Sequence, residues 1–397
     1  MATRDVDVAI LGGGIAGLWL LARLQTAGYS ALLLENNALG AGQTLASQGI
    51  IHGGLKYALD LKLNAASDAL ADMPARWRAC LAGTGEVDLR GVPLAAERHL
   101  FWARKTLASR IAGFFGSKLV RGRVDALAPA DWPAVLRDPE HVAAVYALDE
   151  CVLDVPVLLQ ALARPRQVSI KRIHGDVHVS PADEGVVIDC HDGYAQSRRL
   201  HAGALVSTAG AGNETLLAQF GLPAAAAQRR PLQMVLIDKA PGPLWAHCFD
   251  ASDKPRVTVT THKRADGSLV WYVGGQLAET GARQSAGALI TAAKAEFAAL
   301  LPGQDFSACR YATLAIDRAE GATDDGRKPD GPVLRRAAPN CWLAWPTKLA
   351  LAPQLADQVL AELPPPSGRA ADLSHWPAPQ IAPAPWDSIA WEVAAWK

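Results

Sequence analysis

The stretch that decides the fold reads Asp7-Val8-Ala9-Ile10-Leu11-Gly12-Gly13-Gly14-Ile15-Ala16-Gly17. Helix-forming residues follow as far as Ala27-Gly28, and a second apolar run, Ala31-Leu32-Leu33-Leu34, stops at Glu35. An apolar run, a glycine cluster and a helical run in that order predict a strand, a tight turn and a helix with Gly28 as its C-cap. Both apolar runs are continuous rather than alternating, as in parallel strands covered on both faces. The segment therefore reads as one βαβ unit. Within it, Gly12-x-Gly14-x-x-Gly17 has a mechanical logic. Gly12 permits the turn, Gly14 lets the backbone approach a pyrophosphate, and Gly17 lets helix and strand pack closely. Ile15 and Ala16 open the helix whose N-terminus favours phosphate charge. Glu35 stands 18 residues after Gly17, followed by Asn36. A carboxylate there suits the two hydroxyls of an adenosine ribose and would repel a 2′-phosphate. Together these features predict a dinucleotide site.

Composition narrows the rest. The chain has 397 residues, with 39 Lys+Arg balanced by 39 Asp+Glu, and half of it is hydrophobic. The length suits two domains, or one large α/β domain with an insertion. A neutral balance leaves no electrostatic footprint for nucleic acid or an anionic membrane surface. No apolar stretch reaches the roughly 20 residues of a membrane span. The six cysteines are scattered without a CxxC pair, so they read as buried, reduced thiols, and no metal site is expected. The N-terminus carries no secretory pattern, which makes the cytoplasm the expected location.

Beyond Glu35 the chain enters Gly40-Ala41-Gly42-Gln43-Thr44-Leu45-Ala46-Ser47-Gln48-Gly49-Ile50-Ile51-His52-Gly53-Gly54-Leu55-Lys56-Tyr57. Here it resembles the FAD-dependent oxidoreductases of the D-amino-acid oxidase superfamily. The string from Ile51 to Tyr57 is most similar to the flavin glycerol-3-phosphate dehydrogenases and the L-2-hydroxyglutarate oxidases. Later stretches follow the family's order: Ala204 to Gly212, the run Arg229-Arg230-Pro231-Leu232-Gln233-Met234, Trp271 to Gln276, and Gly331 to Pro353.

The resemblance implies an α/β fold. A GR2-like Rossmann-type FAD-binding domain is expected over residues 1–85, 150–225 and 325–365. An α+β substrate domain with an antiparallel sheet is expected over 86–149 and 226–324, and a Pro/Trp-rich tail over 366–397. It implies FAD as cofactor, lined by Gln43, Thr44, Ser47, Gln48, Gly49 and Ile51 from the glycine-rich loop, by Ala209 and Gly210, and by Thr347, Lys348 and Leu349. It implies hydride removal from a carbon bearing a hydroxyl or amino group of a small, anionic substrate, with oxygen or a quinone as electron acceptor and an oligomer allowed. A non-catalytic FAD-binding subunit and a flavin monooxygenase are the alternatives.

Three residues are the candidates for substrate chemistry. His52 has a pKa range suited to proton removal as hydride leaves, or it is hydrogen-bonded to backbone and only shapes its loop. Lys56 replaces the arginine of the glycerol-3-phosphate relatives, exchanging a bidentate fork for a point charge. Arg318 stands near the place of the family's carboxylate-binding arginine, but Asp317 and Glu320 beside it are possible ion-pair partners. The family's glycine loop before the last helix is replaced by Trp345-Pro346-Thr347-Lys348, which lets the backbone approach the flavin less closely. Lys348 would supply positive potential to the flavin's N1/C2 edge. Of the 12 tryptophans, Trp77, Trp102, Trp132, Trp245 and Trp271 are expected in the core or lining a pocket, and Trp376, Trp386, Trp391 and Trp396 pinning the tail.

Overall fold

The structure is a computed structural model that describes residues 5–54, 70–104, 124–249, 255–264, 266–367 and 375–391. Val6–Leu11 and Ala31–Glu35 are parallel strands joined by the helix Ile15–Thr26. Nine residues of that helix are buried, so it is covered on nearly all sides, and Gly28 just past its end takes φ +86°. Ser197–Ser207 pairs parallel on the other side of Val6–Leu11, Cys341–Trp345 pairs parallel with it in turn, and Val333–Ala338 closes that edge antiparallel. Ile170–Ala182 starts beside Ala31–Glu35, then bends into an antiparallel meander with Gly185–Asp192 and the first half of Ser197–Ser207. The result is a seven-stranded sheet whose central strands are buried on both faces.

A second sheet has eight strands in the order Arg310–Gly321, Ala227–Asp238, Leu269–Gly274, Pro255–Lys263, Ala246–Phe249, Leu100–Arg104, Val142–Leu148 and Val124–Ala126. Pairing is antiparallel throughout except between Ala246–Phe249 and Leu100–Arg104. Strand side chains alternate between faces. One face, carrying Val235, Ile237, Val257, Val259, Trp271 and Val273, packs with Leu289 and Phe297 of the helix Ala286–Leu300. Directly paired residues share a face, so Tyr146, Phe101, His247, Thr258 and Gly274 form one row across the opposite face.

The apolar run from Val152 to Ala163 is not one helix, because Val152–Leu153 is a strand paired with Leu94–Ala96. The helix begins at Val155, where the Asp154 carboxylate accepts the Val157 N–H. The apolar Val235–Ile237 forms the C-terminal part of the 12-residue strand Ala227–Asp238. Residues 55–69 and 105–123 lie outside the described residues, and the helix Met73–Leu81 follows the first of these segments. Trp77, Trp102, Trp132 and Trp271 are core residues, and Trp376 and Trp386 bury tail residues against the body. The six cysteines are all buried and free. Among the described residues, no helix is long and apolar enough to cross a membrane.

Candidate active site

At the glycine turn the backbone runs too close for side chains. A Cβ on Gly12, whose φ is +98°, would lie 2.7 Å from Ala209 Cα, and one on Gly17 would lie 2.0 Å from the Gly12 carbonyl oxygen. The turn thus sets Gly12 against Ala209, just past the end of Ser197–Ser207, with Gly17 packed on the Gly12 carbonyl and Thr208, and Gly14 facing Thr44. Gln43 reaches the same place, its Nε2 lying 3.4 Å from the Cβ position of Gly210.

The two Glu35 oxygens accept the N–H groups of Gly13 at 2.6 Å and Asn37 at 2.7 Å. Each oxygen keeps a second lone-pair position, so the carboxylate can brace the turn and still receive ribose hydroxyls. Thr44 Oγ1 accepts the Ile15 N–H at 3.0 Å, at the first turn of the helix. Ser47 Oγ is buried without a partner among the described residues. Such an enclosed hydroxyl is costly unless something binds it. A glycine cradle, a 12-residue helix aimed through it, a ribose-type carboxylate and an orphaned hydroxyl together fit a dinucleotide cofactor.

The loop after the cradle is clamped to the second sheet. Gln48 donates from Nε2 to the carbonyls of Thr258 and Tyr272, each at 2.9 Å, and Tyr272 donates its hydroxyl to the Ala46 carbonyl at 2.9 Å. Burial raises the Tyr272 pKa, which keeps that donor protonated. Gly49, at φ +69°, passes the Leu153 carbonyl so closely that a Cβ would lie 2.5 Å from its oxygen. Ile51 is fully buried.

His52 follows, its Nδ1 3.2 Å from Glu150 Oε2, while the Gly53 N–H donates to Glu150 Oε1 at 2.9 Å. The Glu150 side chain is 0% exposed and that of His52 14%. Across from them the His247 ring lies 6.1 Å from the His52 ring and nearly parallel to it, with His247 Nδ1 2.8 Å from Thr258 Oγ1 and His99 packed 4.3 Å away. His52, Glu150 and His247 offer ligand-type atoms within 4.8 Å of one another. Each Glu150 oxygen takes one of these contacts, which ties the group together as a hydrogen-bonded cluster.

Glu150, His247 and His99 escaped the sequence reading. The one hint was a carboxylate next to an apolar strand, at Asp149-Glu150-Cys151. His52 therefore holds a carboxylate and not merely backbone. Lys56 lies outside the described residues. Arg318 sits on Arg310–Gly321 four residues from Leu314, which pairs with Met234 beside Gly274. At about 3.4 Å per residue this is roughly 14 Å along the strand from the row that faces His52. Around it Asp317 pairs with Arg229, Glu320 pairs bidentately with Arg230, and Arg318 Nε donates to the Arg230 carbonyl.

The stretch before the last helix also departs from expectation. Trp345 donates from Nε1 to the Gly210 carbonyl at 3.2 Å, tying this segment to the cradle. Thr347 takes φ +62°, the left-handed conformation that glycine usually supplies. The Lys348 ammonium is enclosed, and Leu349 opens a 3-10 turn leading into the helix Ala352–Glu362.

Residues 7–352 match the family model described as FAD dependent oxidoreductase. The chain belongs to that family. Over 394 residues it is 47% identical to the probable FAD-dependent oxidoreductase PA4991 of Pseudomonas aeruginosa, covering 98% of both chains. Against the crystal structure of PA4991 the TM-score is 0.81 at 41% identity, covering 97% of this chain and 99% of that one. The crystal structure of glycine oxidase from Geobacillus kaustophilus shares the fold, with a TM-score of 0.67 at 18% identity over 91% of this chain and 95% of that one. The protein is thus an FAD-dependent oxidoreductase, and the glycine cradle, Glu35 and Ser47 are residues fitted to hold the cofactor.

Proposed function

We propose that this oxidoreductase oxidises a carbon bearing a hydroxyl or amino group in a small anionic substrate, a 2-hydroxy acid or an amino acid, with His52 as the base. The observation that carries the reading is the His52–Glu150 contact on the loop that leads out of the cofactor cradle. FAD, when bound, supplies the acceptor for two electrons. His52 takes the proton from the substrate hydroxyl or amine, and its anchored ring keeps the accepting nitrogen in place. Lys56 adds cationic potential for the anionic end of the substrate, whereas Arg318, roughly 14 Å along its strand from the row that faces His52, stands too far away to hold the carboxylate of so small a substrate.

In this reading residues 1–85, 150–225 and 325–365 carry FAD, and residues 86–149 and 226–324 cover its substrate side. Gly12, Gly14, Ile15, Ala16 and Gly17 receive the pyrophosphate, and Glu35 and Asn36 the ribose. Gln43, Thr44, Ser47, Gln48, Gly49, Ile51, Ala209 and Gly210 line the cofactor's path. Thr347, Lys348 and Leu349 close its far side, where the Lys348 charge favours electron density on the flavin. Oxygen or a quinone accepts the electrons.

The test is anaerobic bleaching of the yellow holoprotein by 2-hydroxy acids, amino acids, N-methyl amino acids and polyol phosphates. One class should reduce the flavin, and His52→Ala should keep FAD while slowing that reduction by about 100-fold or more. Full-rate reduction in His52→Ala would overturn the role of His52. Reoxidation by air against a quinone dye then identifies the acceptor.

A further inference from the structure

A buried carboxylate is costly unless its oxygens are hydrogen-bonded. Glu150 meets that condition by an unusual route: one oxygen takes the Gly53 N–H at 2.9 Å and the other faces His52 Nδ1 at 3.2 Å. The strand end Val142–Leu148 and the strand Val152–Leu153 flank Glu150, and both are tied into sheets, so its position is set by the fold and not by its own side chain. The Glu150 carbonyl accepts the His99 N–H at 2.6 Å, which fixes the backbone as well.

We propose that Glu150 is a positioning residue that holds His52 in the Nδ1–H tautomer, leaving the lone pair on Nε2 as the base of the reaction. The inference rests on the reading of His52 given above. An ionised carboxylate only accepts hydrogen bonds, and Oε1 is already turned to the Gly53 N–H. The His52 nitrogen facing Oε2 must therefore carry the proton, and Nε2 must be the acceptor. In the reaction the substrate O–H or N–H bond breaks and its proton passes to Nε2. The C=O or C=N bond forms as the carbon gives up its hydrogen and two electrons to FAD. The imidazolium so formed lies against a carboxylate that already points at its other nitrogen and needs no reorganisation. His247 contributes its own hydroxyl-bound ring at 6.1 Å, and His99 packs behind it, so the carboxylate is the charged group of opposite sign facing His52 from the described residues.

Glu150→Gln tests this directly, because the amide keeps the shape and inverts the hydrogen bonding. With its oxygen retained on the Gly53 N–H, the NH2 group faces His52 Nδ1, which must become an acceptor and move the proton to Nε2. Long-range ¹H–¹⁵N spectra of the [¹⁵N]histidine-labelled holoprotein, with the His52 signal identified by its loss in His52→Ala, read the tautomer without any substrate. Nδ1–H in the wild type and Nε2–H in Glu150→Gln are expected. Flavin reduction by the best compound of the panel above should fall by about 100- to 10,000-fold in kcat with little change in KM, because the base is blocked and binding is not. Glu150→Asp, which restores an acceptor, should recover part of that rate.

An Nε2–H tautomer in the wild-type holoprotein overturns the proposal whether or not the variants fold, and so does a tautomer switch with no loss of kcat. Should His52→Ala reduce its flavin at the wild-type rate, it is the underlying reading that fails. A wild-type Nδ1–H signal beside it would then mark Glu150 as a structural partner alone.

Discussion

Thr347 shows how a residue other than glycine can hold a left-handed backbone. A β-branched residue at φ +62° carries strain of about 1–3 kcal/mol. Its hydroxyl offsets part of this by donating to the Gly331 carbonyl at 2.8 Å, a bond worth about 1 kcal/mol. The two contributions separate by substitution. Thr347→Val keeps the strain and removes the bond, and should lower stability by about 1 kcal/mol or more. Thr347→Gly removes both, adds the chain entropy of glycine, and should stay within about 1 kcal/mol of the wild type. Chemical denaturation of the two variants side by side checks the order, and a more stable Thr347→Val would refute it. At this scale the sequence was legible where a residue's geometry is written in its type. Gly12 and Gly17 have no room for a Cβ. It was silent where another residue took the same conformation, because nothing in Pro-Thr-Lys announces a positive φ at its centre.

The C-terminal tail behaves as an element of the second sheet. Trp386, in the single turn Pro385–Ser388, stacks on His262 with ring centroids 3.7 Å apart, and Trp391 receives the guanidinium groups of Arg264 and Arg310 on its ring. At the tail's root Ser367 donates both its N–H and its hydroxyl to Asp7 at the start of the first strand. The tail as a surface wrap held by tryptophans was readable from composition, but its partners were not, since they come from strands far away in the chain, the nearest of them, Arg310, 81 residues before Trp391. The strand Arg310–Gly321 was missed for a related reason. It mixes exposed Asp317 with half-buried aliphatics and has no local period, and its structure comes from a 12-residue pairing with Ala227–Asp238.

Burial under Trp386 depresses the His262 pKa to about 3. The folded protein therefore keeps His262 neutral while the unfolded chain protonates it near 6.5, so stability rises with pH between those two values and is fully present above the upper one. The slope should approach about 1.4 kcal/mol per pH unit. Urea denaturation between pH 4.5 and 7 reads this contribution above the unfolded value of 3.8 of the depressed carboxylates Asp7 and Asp357, while burial raises the neighbouring Asp387 carboxyl and opposes it, so the comparison with a variant carries the measure. His262→Phe should flatten the slope, and an unchanged slope would place its cause elsewhere.

For the whole molecule, the segment from Gly40 to Gly54 is the joint between the sheets. It starts at the glycine cradle, is clasped by Gln48 and Tyr272 to the second sheet, bridges Ile50 to Val152, and ends on Glu150. The sequence disclosed both ends of this path, the βαβ motif and the His52 loop, because each is a local pattern. It could not disclose the clasp, since Thr258 and Tyr272 lie more than 200 residues from Gln48 and are met through their backbone carbonyls, which every residue possesses. A loop held from both sides ties cofactor affinity to the docking of the two sheets. FAD at 100 times its Kd should stabilise the wild-type apoprotein by about 2.7 kcal/mol. Gln48→Ala leaves two carbonyls without their donor and frees the loop that carries Ser47. If affinity then drops about tenfold, the same FAD concentration yields about 1.3 kcal/mol less stabilisation. Thermal scans of both apoproteins with and without FAD measure the two gains. Equal gains would mean that the cradle alone orders the loop, and that the second sheet takes no part in holding the cofactor.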